Sequence, residues 1–357
     1  AVNIPVITVG RYTEPQFAEL MVKEGRADLV AFGRQSLADP AMPKKAQEER
    51  LEDMTPCIAC LQGCVANMYA GNPVCCLTNP FLGHEAEPLE KVEEPKKVMV
   101  IGGGVAGLSA AFIAKERGHE VTLYEAGDVL GGNMRLAAYP PGKGDITNMI
   151  RSYIHRCQKD GVKIVMNCEV TPELIKEEKP DSVIIATGSK TLILPIEGID
   201  NPAIIHGSDL LDGKRAAGKK VLVVGGGMVG CETAAFLGEQ EHDVTVIEFR
   251  DTVGADVIHE HRVYLMKDFE DYGIKEITGA KVCKFYEDGV EYETADGVRH
   301  ESRGYDSVIL SMGFRNYNPL EEKIKDLVPE THVIGDAIRA RRALDATKEA
   351  YEVASRI

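Results

Sequence analysis

Two segments of this 357-residue chain repeat one another at a distance of 123 residues. KKVMVIGGGVAGLSAAFIAKERGHEVTLYEAGD begins at Lys96, and KKVLVVGGGMVGCETAAFLGEQEHDVTVIEFRD begins at Lys219. Each has an apolar run, a glycine cluster, an alanine-rich stretch and a second apolar run that leads to a glutamate. This order predicts a strand, a tight turn, a helix and a parallel strand, so we expect an α/β protein with two βαβ units.

The glycines of each repeat have the spacing G-x-G-x-x-G and stand between the first predicted strand and the helix. Such a turn brings free backbone N–H groups to a pyrophosphate, and a carboxylate about 20 residues later can accept hydrogen bonds from a ribose. One fingerprint alone is a weak signal, but two in register predict two dinucleotide sites. The residues are Gly102, Gly104, Gly107 and Glu125, and Gly225, Gly227, Gly230 and Glu248.

Two such sites in one chain imply electron transfer between two cofactors, and the arrangement resembles the two-dinucleotide-binding flavoprotein reductases. The resemblance covers residues 96–357 and implies FAD in the first unit and NAD(P)H in a second unit inserted into it. Further residues match positions at the flavin or at the exit of the FAD domain. They are Gly131 and Gly132, Thr187 and Gly188 in VIIATGS, and Gly335 and Asp336 in VIGDA.

Glu248 bears on the choice between NADH and NADPH. Its carboxylate suits a ribose 2′-hydroxyl and repels a 2′-phosphate, which predicts NADH. Arg250 follows two residues later and could hold a phosphate, so NADPH stays open.

Five of the nine cysteines lie within twenty residues, in CIACLQGC and CCLTNP. Cys57, Cys60, Cys64 and Cys76 offer four soft thiolates, which suit either zinc or an iron–sulfur cluster. Zinc sites usually have two CxxC arms where this segment has one, and redox domains follow, so we predict a 4Fe–4S cluster. Cys75 is ambiguous, because adjacent side chains of an extended segment point in opposite directions.

The cysteine segment followed by these two units resembles the iron–sulfur flavoproteins related to 2,4-dienoyl-CoA reductase, enoate reductase and trimethylamine dehydrogenase. The resemblance implies that the cluster ligands are Cys57, Cys60, Cys64 and Cys76, and that Cys75 is not a ligand. In that family the cluster follows an FMN-carrying TIM barrel similar to Old Yellow Enzyme, and residues 1–56 resemble its last two βα units. The strand ends that hold the FMN phosphate match Gly10 and Arg11, and Gly33 and Arg34.

The resemblances predict four parts of the chain. These are the end of an FMN-binding barrel (1–56), a 4Fe–4S segment with a linker (57–95), an FAD domain (96–217 and 306–357) and an inserted NADH domain (218–305). A full barrel takes about 250 residues, so we interpret the chain as a fragment; a natural variant without the barrel is the alternative. The substrate-binding residues are missing with the barrel, and no catalytic residue is assigned.

The implied activity passes electrons from NADH to FAD, the cluster and FMN, and reduces activated carbon–carbon double bonds of an unsaturated small molecule such as an enoate or enoyl thioester. One alternative is an amine dehydrogenase of the trimethylamine dehydrogenase type. Another is an electron-transfer module that delivers NADH electrons to a partner protein.

Composition excludes some partners. The formal net charge of −15, from 41 Lys and Arg against 56 Asp and Glu, argues against nucleic acid. Apolar runs are too short for a membrane span and the first residues lack a signal peptide, which together predict a cytoplasmic protein. Four histidines have no partner motif and are expected at the surface: His84, His119, His206 and His242.

Overall fold

The computed structural model describes residues 2–357. The chain forms two units, each with its own five-stranded parallel sheet. The first unit comprises Ala1–Arg135, Asp145–Gly188 and Asn316–Ile357, and the second comprises Leu136–Gly144 and Ser189–Arg315.

The strands and helices alternate along most of the chain. The strands are β1 (Ile7–Val9), β2 (Leu29–Ala31), β3 (Lys97–Ile101), β4 (Glu120–Tyr124), β5 (Lys163–Val165), β6 (Ser182–Ile185), β7 (Ser189–Thr191), β8 (Ile205–His206), β9 (Lys220–Val224), β10 (Asp243–Ile247), β11 (Lys275–Ile277), β12 (Lys281–Tyr286), β13 (Gly289–Glu293), β14 (Arg299–Ser302), β15 (Ser307–Leu310), β16 (Phe314–Asn316) and β17 (Glu330–Val333). The helices are α1 (Pro15–Lys23), α2 (Arg34–Ala38), α3 (Met42–Gln47), α4 (Val65–Tyr69), α5 (Val105–Glu116), α6 (Asn133–Leu136), α7 (Asp145–Lys159), α8 (Pro172–Glu178), α9 (Gly207–Leu211), α10 (Met228–Glu239), α11 (His259–Asp271), α12 (Glu321–Ile324) and α13 (Ala343–Ala354). Single 3₁₀ turns span Leu51–Asp53 and Gly335–Ala337.

The main sheet of the first unit has the order β17-β6-β3-β4-β5, with all strands parallel. Its central strand β3 is an apolar run that is buried on both faces, as expected for a sheet covered by helices on each side. Helix α5 is buried from Val105 to Ala114 and packs against α7 and α13. The first repeat therefore lies at the centre of this unit.

The main sheet of the second unit has the order β11-β10-β9-β15-β8, and the second repeat supplies β9, α10 and β10. The strand register repeats as well as the sequence: Val98 pairs with Val121 in the first unit, and Val221 pairs with Val244 in the second. An antiparallel meander of β12, β13 and β14 is joined by turns at Asp288-Gly289 and Asp296-Gly297.

The N-terminal segment is a βαβα unit in which β1 and β2 are parallel. The apolar side chains of Ile7, Val9 and Leu29 on these strands are exposed. The cysteine segment is anchored on α2, because the Cys57 N–H donates to Gln35 Oε1 at 2.8 Å and Asn79 Nδ2 donates to the Leu37 carbonyl at 2.9 Å.

These features confirm the predicted fold class: the chain is an α/β protein in which two Rossmann-like sheets follow a βαβα segment in sequence. Within residues 2–357, every helix is too short or too polar to cross a bilayer.

Candidate cofactor sites

The first glycine turn depends on missing Cβ atoms at two places. Gly102 has φ +109°, and a Cβ there would lie 2.3 Å from the Ala186 carbonyl oxygen. A Cβ on Gly107 would lie 1.9 Å from the Gly102 carbonyl oxygen, so α5 could not start this close to β3 with any other residue. Beside Gly104 there is open space, which leaves room for a ligand at the start of α5.

The second glycine turn has nearly the same geometry. Gly225 has φ +107° and its Cβ would lie 2.4 Å from the Ser311 carbonyl oxygen, while a Cβ on Gly230 would lie 1.8 Å from the Gly225 carbonyl oxygen. The space beside Gly227 differs, because the Asp256 carboxylate would lie 3.5 Å from a Cβ at that residue.

The two predicted glutamates lie where the second strand of each repeat ends. Glu125 Oε2 accepts from the Gly103 N–H and Glu248 Oε2 accepts from the Gly226 N–H, at 2.7 and 2.5 Å. The other carboxylate oxygen of each accepts from the backbone two residues further on, at Gly127 and Arg250. Each glutamate therefore ties its own strand end to the glycine turn, at the edge where a ribose would bind.

Further predicted flavin residues gather at the first turn. Gly131 donates its N–H to the Gly103 carbonyl at 2.8 Å, and a Cβ on Gly132 would lie 3.2 Å from Gly104 Cα. A Cβ on Gly335 would lie 3.1 Å from the Cβ of Ala106, in the first turn of α5. The structure thus brings three separate chain segments to the start of this helix.

The remaining predicted flavin residues lie at segment ends. Asp336 follows Gly335, and its Oδ1 accepts from the Arg341 N–H at 3.0 Å. Thr187 and Gly188 follow β6, where the middle range of the first unit ends. The Thr187 hydroxyl donates to the Tyr317 carbonyl at 2.5 Å, which ties the two neighbouring chain segments together.

The cysteines line one cavity. All four predicted ligands contribute to it, and so does Cys75; the volume free of protein atoms, including the part open to solvent, is about 320 Å³. The Cys75 N–H donates to the Gly63 carbonyl at 2.9 Å, and a Cβ on Gly63 would lie 2.5 Å from the Cys75 carbonyl oxygen. Glycine at this position therefore lets the second cysteine pair approach the first three.

Burial disfavours the charged form of two of the predicted ligands, Cys57 and Cys60. Burial raises the pKa of Cys60 to about 12 and also raises the pKa of Cys57. Asn67 Nδ2 donates to Cys75 Sγ at 3.4 Å, and Cys76 Sγ lies 3.3 Å from the Thr78 hydroxyl. Within residues 2–357, no three His, Cys, Asp or Glu side chains are placed so that they could hold a single metal ion.

The predicted FMN-phosphate residues lie at the ends of β1 and β2. Gly10 and Arg11 follow β1, and the Arg11 guanidinium is ion-paired with Asp145 at the start of α7. Gly33 precedes α2, and Arg34 lines the cysteine cavity.

Two features of the second unit were not predicted from the sequence. Lys143 is ion-paired with Glu232, a buried residue of α10. Asp256 Oδ1 accepts a hydrogen bond at 2.8 Å from the backbone N–H of Met228, which is the first residue of α10. Extending the repeat beyond Glu248 would have marked Asp256, since it corresponds to Asn133 at the same spacing of 123 residues.

Family models match both parts of the chain. The model for pyridine nucleotide-disulphide oxidoreductases matches residues 96–332, and the model for the NADH:flavin oxidoreductase / NADH oxidase family matches residues 1–53.

Individual relatives match over the whole chain. An NADH oxidase of Thermoanaerobacter brockii is 38% identical over 365 residues, and a cinnamate reductase of Clostridium sporogenes is 34% identical over 360 residues. Both alignments cover 100% of this chain, but only 56% and 54% of those proteins. A structure of 2-naphthoyl-CoA reductase with 2-naphthoyl-CoA superposes with a TM-score of 0.95 and 33% identity, and the match covers 100% of this chain and 54% of that one.

The chain therefore spans about half the length of the curated relatives it matches. It belongs to the pyridine nucleotide-disulphide oxidoreductase family and carries a segment of the Old Yellow Enzyme-like NADH:flavin oxidoreductases at residues 1–53, the combination that the sequence resemblance predicted.

Proposed function

We propose that this chain binds FAD, NADH and a 4Fe–4S cluster and serves an NADH-dependent reduction of activated carbon–carbon double bonds, in an enoate or enoyl thioester. The pair of glycine turns carries the proposal, because each has the strand, the helix start and the glutamate in register. Two relatives named for reduction of cinnamate and 2-naphthoyl-CoA support the substrate class. A cytoplasmic location and independence from nucleic acid are part of the same proposal.

The residues at the first turn fit FAD. Gly104 leaves open space at the N–H groups of α5, and Gly132 and Gly335 approach the same place without side chains. Such N–H groups and the helix dipole stabilise a pyrophosphate, and Glu125 would accept from a ribose hydroxyl. Asp336 would face the ribityl chain and the pyrophosphate of FAD.

The residues at the second turn fit NADH. The carboxylate of Glu248 is fixed at the strand end by two backbone N–H groups, so it cannot easily turn away from a 2′-phosphate. NADPH stays the alternative through Arg250.

The cysteine cavity fits a 4Fe–4S cluster better than a structural zinc ion, because zinc would play no part in redox chemistry. Four cysteine side chains from two chain segments line this cavity, and Cys57, Cys60, Cys64 and Cys76 would each hold one iron. When bound, nicotinamide and flavin supply hydride transfer, and the cluster supplies single-electron transfer. FMN would be held by Gly10, Arg11, Gly33 and Arg34 together with the rest of a barrel.

The test is anaerobic mixing of the reconstituted protein with NADH, followed by flavin absorbance and by the EPR signal of the reduced cluster. We expect the flavin absorbance to fall and the EPR signal to rise, with dithionite as the control for full reduction. Flavin that dithionite reduces but NADH does not would favour the amine dehydrogenase alternative. A sample with one zinc per chain and no iron would overturn the cluster assignment.

A further inference from the structure

The two glycine turns differ in the charge that faces them. In the first turn the corresponding residue of the following loop is Asn133, and the space beside Gly104 is open. In the second turn the residue is Asp256, whose Oδ1 accepts the Met228 N–H at 2.8 Å. Its two carboxylate oxygens would lie 3.5 and 3.6 Å from a Cβ on Gly227.

This carboxylate occupies the place that favours an anion. The first N–H groups of a helix have no partner within the helix, and the dipole at that end stabilises negative charge. Asp256 satisfies one of these groups in the 12-residue helix α10. A pyrophosphate bound there would need the same N–H and would be repelled by the carboxylate.

The rest of the loop is held in place. The Gly254 N–H donates to the Gly226 carbonyl at 2.7 Å, as Gly131 does to Gly103 in the first unit. Arg262 of α11 donates to the Thr252 hydroxyl and to the Val253 carbonyl, at 2.9 and 3.0 Å. Asp256 lies two residues beyond Gly254 in the chain and is exposed.

We propose that Asp256 lowers the affinity of the second glycine turn for a dinucleotide, because its carboxylate takes the pyrophosphate position and has to be displaced on binding. The inference rests on the proposed dinucleotide site at this turn and adds a residue that sets its affinity. The space beside Gly104 in the first turn is open, so we expect the two sites to differ in affinity because of the loops that face them and not because of the glycine turns themselves.

The test is isothermal titration of the FAD-saturated protein with ADP, which carries the diphosphate, and with adenosine, which lacks it. Asp256→Asn keeps an oxygen that can accept the Met228 N–H and removes the charge. We expect it to bind ADP about two- to tenfold more tightly than the original protein, with adenosine binding unchanged. Asp256→Ser, which can also cap the helix, should act in the same direction.

The matched control is Asp251→Asn, which removes an equal charge from an exposed position of the same loop and should leave ADP binding unchanged. Unchanged or weaker ADP binding in both Asp256 variants would overturn the inference about Asp256 and would leave the proposed function standing. If the original FAD-saturated protein binds neither ADP nor NADH, the proposed function itself fails.

Discussion

In each βαβ unit, the helix can pack close to the preceding strand because one glycine lacks a Cβ atom. At Gly107 and Gly230 that atom would overlap a backbone oxygen at 1.9 and 1.8 Å. Steric exclusion of this kind can be read from the G-x-G-x-x-G spacing, which is why the turns were predictable. The Asp256 carboxylate comes from a loop that the fingerprint does not include, and only an extension of the 123-residue repeat beyond Glu248 would have marked it.

The charge of Glu248 is expected to decide between NADH and NADPH. Glu248→Gln keeps an acceptor for the Gly226 N–H but no longer repels a 2′-phosphate. We expect the ratio of kcat/KM for NADH to that for NADPH, measured by flavin reduction, to fall about tenfold. Glu239→Gln, at the exposed end of α10, is the control and should keep the original ratio. An unchanged ratio in Glu248→Gln would show that another residue selects the nicotinamide.

The adjacent cysteines are expected to differ in their effect on iron. Cys76→Ser removes a predicted ligand, whereas Cys75→Ser removes a thiol that Asn67 contacts. After anaerobic reconstitution, iron and sulfide analysis should give far less cluster in Cys76→Ser and an unchanged amount in Cys75→Ser. The reverse pattern would make Cys75 the fourth ligand.

At the scale of elements, Asp53 joins the N-terminal segment to α7. It accepts from Arg50 at 2.9 Å, from His155 at 2.9 Å and from Lys159. Burial acts to raise the pKa of Asp53, but the hydrogen bonds from Lys159, His155 and Arg50 outweigh it and hold the pKa far below its ordinary value. The carboxylate therefore stabilises the folded protein only while it is charged.

We expect Asp53→Asn to lower the free energy of unfolding by about 1–3 kcal/mol at neutral pH. Because the folded pKa is depressed, the difference between the two proteins is fully present above about pH 5 and shrinks as the pH falls below about 4. Urea unfolding across this range measures it. Asp326→Asn, at an exposed position, should change the unfolding free energy by less than about 0.5 kcal/mol. A pH-independent difference would argue against a charge effect.

Elements with a strong apolar pattern were predictable, and single polar contacts were not. The strands and helices of both repeats follow from the buried runs of β3 and β9 and the glycines after them. The prediction for His119 was wrong: it is buried, its Nδ1 accepts the Lys96 N–H at 3.1 Å, and its Nε2 lies 3.2 Å from the Ile357 carbonyl. Its partners come from distant parts of the chain, which local sequence does not indicate.

At the scale of the whole molecule, the chain has a βαβ unit with a glycine turn that is present twice and an N-terminal βαβα segment. The exposed apolar side chains of Ile7, Val9 and Leu29 lie on the two strands of that segment. The proposed substrate class is supported by the names of relatives, whereas the proposed cofactor sites are supported by contacts within this chain.

Paired variants test most directly whether the two turns bind different dinucleotides. Gly107→Val and Gly230→Val each place atoms against a backbone oxygen, in one turn at a time. Bound FAD and its anaerobic reduction by NADH are measured in both. We predict that Gly107→Val loses FAD, whereas Gly230→Val keeps FAD that dithionite reduces and NADH no longer does. Loss of FAD from Gly230→Val with retention in Gly107→Val would contradict the account.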